Sequence, residues 1–310
     1  MSGVETTGPA AVQEAEPADT ELIAGQFRFF QARVVRSRRL GPTLVRITFG
    51  GEQLAHFASA GRDQSFSLFL PHPGQPAPIL PTGPGDSWFQ QWREFPPEER
   101  AVMRSYTVRT HRPESAEVDV DFALHGTGPH DTGAAGPAAR WAAAAAPGDR
   151  VVLLGPAVSD NRSVGFQPPA DTDWILIAAD ETALPAVGGI LDWLPAGSRV
   201  KAWIEVPHAE DIQDLPSAAE LDVTWLVRDA AGTTPAGTGP LAAAVRASEL
   251  PEGVPYAWIA GESGMVKTLR RHLVGERGFD RKSVEFSGYW RRGVSEEQLR
   301  AEPPAEAGGE

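Results

Sequence analysis

The amino-acid pattern predicts an α+β chain of two domains, an antiparallel β-barrel followed by an α/β domain built on a parallel sheet. Three observations carry that prediction. Up to about residue 158 the apolar residues recur with a period of two and are cut by Gly and Pro turns. Beyond a breaker-rich stretch at 167–173, short buried strands alternate with helix-length segments. The chain has 310 residues, 41% of them hydrophobic, enough for two cores. The expected division is an acidic tail over 1–24, a barrel domain over 25–168, an α/β domain over 169–293 and a second acidic tail over 294–310.

In the first domain, residues 26–35 and 43–49 read as strands, and 150–154 is a short β-branched run. Val118, Val120, Phe122 and Leu124 alternate with Asp119, Asp121 and Ala123, the signature of a strand with one buried face. One helix interrupts this series. Gly136, Pro137 and Ala138 put proline at the first helical position, an alanine-rich body with Trp141 follows, and Pro147-Gly148 stops it. In the second domain strands are predicted at 174–178, 199–206, 221–227, 256–260 and 284–286, with helices at 182–194, 240–247 and 263–276.

Composition excludes several chemistries. With no cysteine, disulfides, cysteine-ligated clusters and a cysteine nucleophile are ruled out, so any redox chemistry requires a bound cofactor. His111, His130 and His272 lack metal-ligand spacing, and no nucleophile elbow or P-loop is present. The formal charge of −13 argues against nucleic acid or an anionic membrane as partner. Residues 1–22 hold five acids and no Lys or Arg, unlike a signal peptide, and the longest apolar run, 174–179, is far below the roughly 20 residues of a membrane helix. A cytoplasmic protein without membrane insertion is expected. The acidity is concentrated in the tails, whereas 261–293 carries eight Lys and Arg against four acids.

The chemistry-bearing segment is Arg104, Ser105, Tyr106, Thr107. On a strand, Arg104 and Tyr106 share one face and Thr107 points to the other. A guanidinium fork for a diphosphate, a ring to stack and a small hydroxyl donor suit a planar, phosphate-bearing ligand. Downstream, Asp121 leads through His125 and Gly126 into a Gly-rich loop and then the helix start at Gly136 and Ala138, whose free backbone N–H groups form a diphosphate cradle. Together these features point to a barrel that binds a flavin dinucleotide.

The segments RSYTVRT (104–110), DFALHG (121–126), GPAARWAAAAAPGDRVVLLGP (136–156), ADETALPAVGGIL (179–191), AWIEV (202–206), TWLVR (224–228), YAWIAGES (256–263) and SGYWRRG (287–293) occur in this order. In that order the chain resembles the siderophore-interacting protein family, FAD-binding relatives of the ferredoxin-NADP reductases. The resemblance spans about 27–293. It implies a ferredoxin reductase-like fold and FAD-dependent reduction of ferric siderophores, with NAD(P)H or a reduced ferredoxin as donor. By the same resemblance Arg104 holds the FAD diphosphate, Tyr106 packs against the isoalloxazine and Thr107 stands at its reactive edge. His125 and Gly126 line the ribityl or adenosine side, and Gly136 and Ala138 supply the helix terminus. Asp180, Glu181, Thr182 and Ala183 shape the nucleotide side of the interdomain cleft, and Tyr289, Trp290 and Arg291 return beside flavin and substrate. The chain departs from the family where Ala139 replaces the usual Ser and where the loop 127–135 is longer. A loop Cys common in other ferredoxin-reductase relatives is replaced by the run Ala260, Gly261, Glu262, Ser263.

Lys267, Arg270 and Arg271 share a helix face and, with Arg281, Lys282, Arg291 and Arg292, form a basic set suited to an anionic iron chelate or to a nucleotide phosphate. Gly237, Gly239 and Ala242 match G-x-G-x-x-A but lie too far from the preceding strand for a dinucleotide fingerprint. Glu205, at a strand end, is read either as facing a ribose or as capping a loop. Two other readings share these features: a non-enzymatic iron-chelate binder, and a general flavin or ferredoxin-type reductase.

Overall fold

A computed structural model describes residues 25–81, 87–124, 135–228 and 239–294. The first sheet has seven strands, β1 (Phe27–Arg39), β2 (Leu44–Gly50), β3 (Ser65–Leu70), β4 (Val102–Thr107), β5 (Thr110–Arg112), β6 (Glu117–Ala123) and β7 (Arg150–Pro156), in the order β4-β3-β7-β1-β2-β6-β5. Every pairing is antiparallel. In β1, Phe30, Ala32 and Val34 are buried while Gln31, Arg33 and Val35 face out, the period the sequence announced. A bulge between Val34 and Arg36 bends β1 so that it pairs with β7 in one half and β2 in the other. The sheet curls until β4 lies against β6, and helix α2 (Pro137–Ala144) packs on β2, β4 and β6, burying Ala138 and Ala142.

Helix α1 (Trp88–Glu94) and strand β3 lie between 50 and 101, where the period-two reading located no element. In the SFSLFL run, Phe66, Leu68 and Leu70 enter the barrel core and Phe69 enters a second cluster with Phe27, Met103 and Trp92. Both faces of β3 are covered, so its sequence does not alternate.

The second sheet is wholly parallel: β8 (Trp174–Asp180), β9 (Arg199–Val206), β10 (Glu220–Val227), β11 (Pro255–Glu262) and β12 (Val284–Trp290), ordered β10-β9-β8-β11-β12. Helix α3 (Leu184–Trp193) covers one face, and α4 (Pro240–Ala247) and α5 (Ser263–Arg271) cover the other. The strand order reverses at β8, so the crevice outside the carboxyl ends of β8 and β11 is the topological switch point. The helix expected over 263–276 changes to a π turn at His272–Glu276, where His272 is held by Glu276 and Arg277. Strand β12 runs four residues past its expected end; it is an edge strand with Ser287, Gly288 and Tyr289 exposed, which hides it from an apolar-run reading.

The two sheets are joined by buried polar contacts. The Asp63 carboxylate, just before β3, accepts from Gly165 N, Phe166 N and the Trp258 indole at 3.0–3.1 Å. Thr43 donates through its amide and hydroxyl to Asp211, and Leu44 of β2 packs into the α/β core. A Cβ at Gly189 would collide with the Arg62 carbonyl, so glycine there allows α3 to approach the barrel. Asp63→Ala strands three donors at this seam and is expected to destabilise the fold by about 3 kcal/mol and split urea unfolding into two transitions. A single transition with an unchanged midpoint would contradict this role.

Candidate functional site

Strand β4 is an edge strand, and its register sets Arg104 opposite Leu68 and Tyr106 opposite Phe66. Arg104 and Tyr106 are half-buried on one face, Ser105 is exposed and Thr107 is buried on the other. The Tyr106 ring packs against Phe122, centroids 4.3 Å apart. Arg104 lines a cavity of about 950 Å³ together with Pro137, Arg140 and Trp141 of α2, the turn after β3 and helix α1, at the upper end of the range for small-molecule sites. On the α1 side Phe89 and Trp92 stack, 5.7 Å between centroids, Arg100 lies over Trp92 at 5.2 Å, and the Trp92 indole is pinned to Ala101 O. Arg93, Arg100, Arg104, Arg140 and Arg150 line the cavity against one carboxylate, Asp149. That balance favours an anion.

The cavity meets α2 at its N-terminus. Gly136 is the N-cap, Pro137 occupies the first turn, and no side chain among the described residues caps the terminus. Nothing lies within 4 Å of where a Gly136 Cβ would stand. The first-turn amides therefore have no side-chain partner among the described residues, and the partial positive charge of the helix end stands behind them. An apolar and aromatic wall, a cluster of guanidiniums and an open helix terminus form a donor set that fits the adenosine diphosphate half of a dinucleotide.

At the other end of β4, the second domain meets the barrel. Tyr289 on β12 comes near enough to Thr107 for that side chain to act on its phenol, so the two domains approach each other here. Burial and the neighbouring Asp63 push the Tyr289 phenol well above its ordinary value, although the residue keeps 36% of its surface exposed. Trp290 is fixed twice: its indole donates to Asp180 at 2.8 Å and its carbonyl accepts from Ser263 Oγ at 2.9 Å.

Asp180 ends β8 and is 3% exposed. Its carboxylate accepts from Thr182 N and Oγ1, Glu262 N and Trp290, which ties together the ends of β8, β11 and β12. Gly261, at φ 137°, leaves room for that carboxylate where any Cβ would strike it. Burial first, then repulsion from Glu181, raises Asp180 to about 6, against the pull of these hydrogen bonds.

The structure brings Arg104 together with Pro137, Arg140 and Trp141 of α2 around one cavity, with Gly136 as the N-cap of that helix and Ala138 buried in the barrel core, and sets Tyr289 near Thr107 and Trp290 on Asp180. Other expected site residues fall elsewhere. Asp121 is corrected: it is buried on β6 and forms a two-pronged ion pair with Arg46 at 2.6 and 2.8 Å, so its carboxylate is a sheet contact. Ser105 projects away from the Arg104 face, and Ala183 is fully buried at the start of α3. Thr182 spends its amide and hydroxyl on Asp180. Lys267 and Arg270 are exposed on α5, Arg270 lying over Phe286 at 4.1 Å, and Arg291 is exposed just beyond β12. His125, Gly126 and Gly237 lie outside the described residues. Trp92, Arg100 and Asp63 escaped the sequence reading, because their partners come from segments with no local motif.

An antiparallel barrel-like domain followed by a doubly wound parallel domain defines a ferredoxin reductase-like fold. The ferredoxin reductase of carbazole 1,9a-dioxygenase shares this fold at a TM-score of 0.57 and 17% identity. Residues 33–160 match the siderophore-interacting FAD-binding domain, and residues 172–293 match the siderophore-interacting protein family. The chain is 32% identical to the ferric vibriobactin reductase ViuB of Vibrio cholerae over 270 residues, 86% of this chain and 91% of that one. It is 27% identical to the NADPH-dependent ferric-chelate reductase of Escherichia coli over 278 residues, 88% and 97% of the two chains. A siderophore utilization protein from T. fusca superposes with a TM-score of 0.72 at 34% identity, covering 87% of this chain and 95% of that one. The chain belongs to the siderophore-interacting protein family.

The raised Asp180 gives a pH signature. The folded state holds this proton more tightly than the unfolded chain, so its contribution to stability is full below about pH 4 and is lost as pH rises through about 6. Asp180→Asn is expected to remove about 3 kcal/mol of pH dependence between those limits, read from the difference between wild-type and variant urea-unfolding curves. Parallel curves across that window would contradict it.

Proposed function

We propose that this chain is a cytoplasmic FAD-dependent reductase of ferric siderophores, drawing electrons from NAD(P)H or a reduced ferredoxin and releasing Fe(II) for iron assimilation. The observation that carries the reading is the cationic cavity that joins Arg104 to the uncapped N-terminus of α2. The names of the two curated relatives, both ferric reductases, support the reaction, and the matched FAD-binding domain supports the cofactor. No helix among the described residues is long and apolar enough to cross a membrane, in keeping with the proposed compartment. In this reading residues 25–168 form the FAD domain and 169–293 the domain that meets the electron donor.

When bound, FAD supplies a redox couple that exchanges two electrons with a nicotinamide and one at a time with iron. The protein's part is position and charge. Arg104 and the amides following Gly136 hold the diphosphate; Tyr106, braced from behind by Phe122, offers a ring edge to the flavin side of the cleft. Thr107 and Tyr289, where the two domains approach each other, would shield the flavin ring from water. Trp290 sets the direction of the strand that carries Tyr289, because Asp180 and Ser263 fix both its ends. Lys267, Arg270 and Arg291, exposed on α5 and just beyond β12, add positive surface charge that attracts a negatively charged iron chelate. No side chain need transfer a proton. Each NAD(P)H oxidised provides two electrons, enough to convert two Fe(III) to Fe(II), which the chelator holds weakly.

The test is anaerobic turnover of a ferric siderophore with NADH, NADPH or reduced ferredoxin, with a ferrous-specific dye as trap. Two dye-bound Fe(II) per NAD(P)H are expected, and binding of the chelate without ferrous iron would favour a non-enzymatic binder. Arg104→Ala is expected to weaken FAD by roughly 10- to 100-fold while changing riboflavin affinity little, as loss of a charge-assisted diphosphate contact requires. Equal losses for the two flavins, measured by fluorescence titration, would contradict that role.

A further inference from the structure

The two domains treat their helix N-termini in opposite ways. No side chain among the described residues caps α2, whereas the termini of α4 and α5, at the carboxyl edge of the parallel sheet, are met by the chain's own carboxylates. Glu262 ends β11 and caps α5, accepting from Gly264 N and Met265 N at 2.7 and 3.0 Å. Glu205 ends β9 and accepts Leu241 N in the first turn of α4 at 3.1 Å. Before α3, Asp180 takes Thr182 N through its side chain and Ala183 N through its carbonyl.

These groups surround the switch-point crevice at which doubly wound α/β domains receive nucleotides, phosphates on a helix N-terminus. Here that edge carries Asp180, Glu181, Glu205 and Glu262, all buried or nearly so. Arg228, the guanidinium at the end of β10, is divided between Glu181 at 2.6 Å and Glu205 at 2.7 Å. A diphosphate entering the crevice would meet occupied amides at α4 and α5 and an edge on which four carboxyl groups share the one guanidinium of Arg228 among these contacts.

We propose that Glu205 and Glu262 are specificity-determining residues that close the sheet edge to the diphosphate of a nicotinamide donor, so that the donor is recognised through its dihydronicotinamide mononucleotide half. The adenosine diphosphate half then adds little to binding. This rests on the reading that a flavin in the cleft accepts the electrons; the closure of the edge stands on the caps themselves.

The test uses the FAD-loaded protein, in which the barrel cavity is filled. By calorimetry, ADP and 2′,5′-ADP at about 1 mM are expected to give no binding heat. Reduced nicotinamide mononucleotide is expected to bleach the flavin with a kcat/KM within about threefold of NADH and NADPH. Glu262→Gln and Glu205→Gln keep an acceptor for the amides but remove a charge, and each is expected to raise the NADPH-to-mononucleotide ratio about threefold. Binding of either adenosine diphosphate below about 100 μM, or a mononucleotide more than about tenfold poorer than NADPH, overturns the proposal. An unchanged ratio in both variants overturns the assignment to these residues. Failure to bind FAD at all instead sinks the flavoenzyme reading, while closure of the edge is then read from ADP calorimetry on Arg104→Ala, whose barrel cavity has lost a guanidinium, with binding below about 100 μM still overturning it.

Discussion

The geometry of the cleft hangs on the Asp63 carboxylate. It sits at the threshold of β3 in the barrel and takes its three donors from the connecting segment and from β11, so one buried anion sets the barrel against the parallel sheet. From that alignment follows the meeting of Thr107 with Tyr289, residues far apart in sequence and carried by different sheets. Asp180 performs the corresponding task within the second sheet, gathering the ends of β8, β11 and β12. Both carboxylates are costly to bury and are kept by full sets of hydrogen bonds, so each is sensitive to loss of a single partner.

A helix N-terminus can serve one anion at a time. At α2, Gly136, Pro137, Ala138 and Ala139 offer no side-chain acceptor, and the amides are left for a ligand beside Arg104. The Ala139 that replaces the family's usual Ser makes this cradle a matter of backbone donors and nearby guanidiniums. At α4 and α5 the acceptors are Glu205 and Glu262. The same physical device, inverted, distinguishes the helix terminus of the barrel domain from those of α4 and α5.

Much of the fold was legible because its strands and helices keep strict periods, as in β1, β6, α2 and α3. The elements that escaped, β3 and α1, lie where the barrel is covered on both faces and alternation disappears. At the site, Arg104, Tyr106, Thr107, Tyr289 and Trp290 stand in contiguous motifs that a single strand can carry. Asp121 was misread because a carboxylate on a strand next to a motif looks the same whether it meets a ligand or, as here, Arg46 across the sheet. Asp63 depends on a contact 195 residues away, which no local pattern records, whereas Trp92 and Arg100 meet each other across the turn after α1, in a segment where no element was expected. Glu205 was read as either ribose-facing or a cap, and the structure makes it the cap of α4.

The most direct test of this account is a crystal structure of the protein with FAD. The account predicts the diphosphate on the α2 amides beside Arg104, the adenosine in the cavity walled by Trp92 and Arg100, and the flavin ring ending at Thr107 and Tyr289. A dinucleotide lying instead along the carboxyl edge of the parallel sheet, with its phosphates displacing Glu205 or Glu262 from the helix termini, would contradict it.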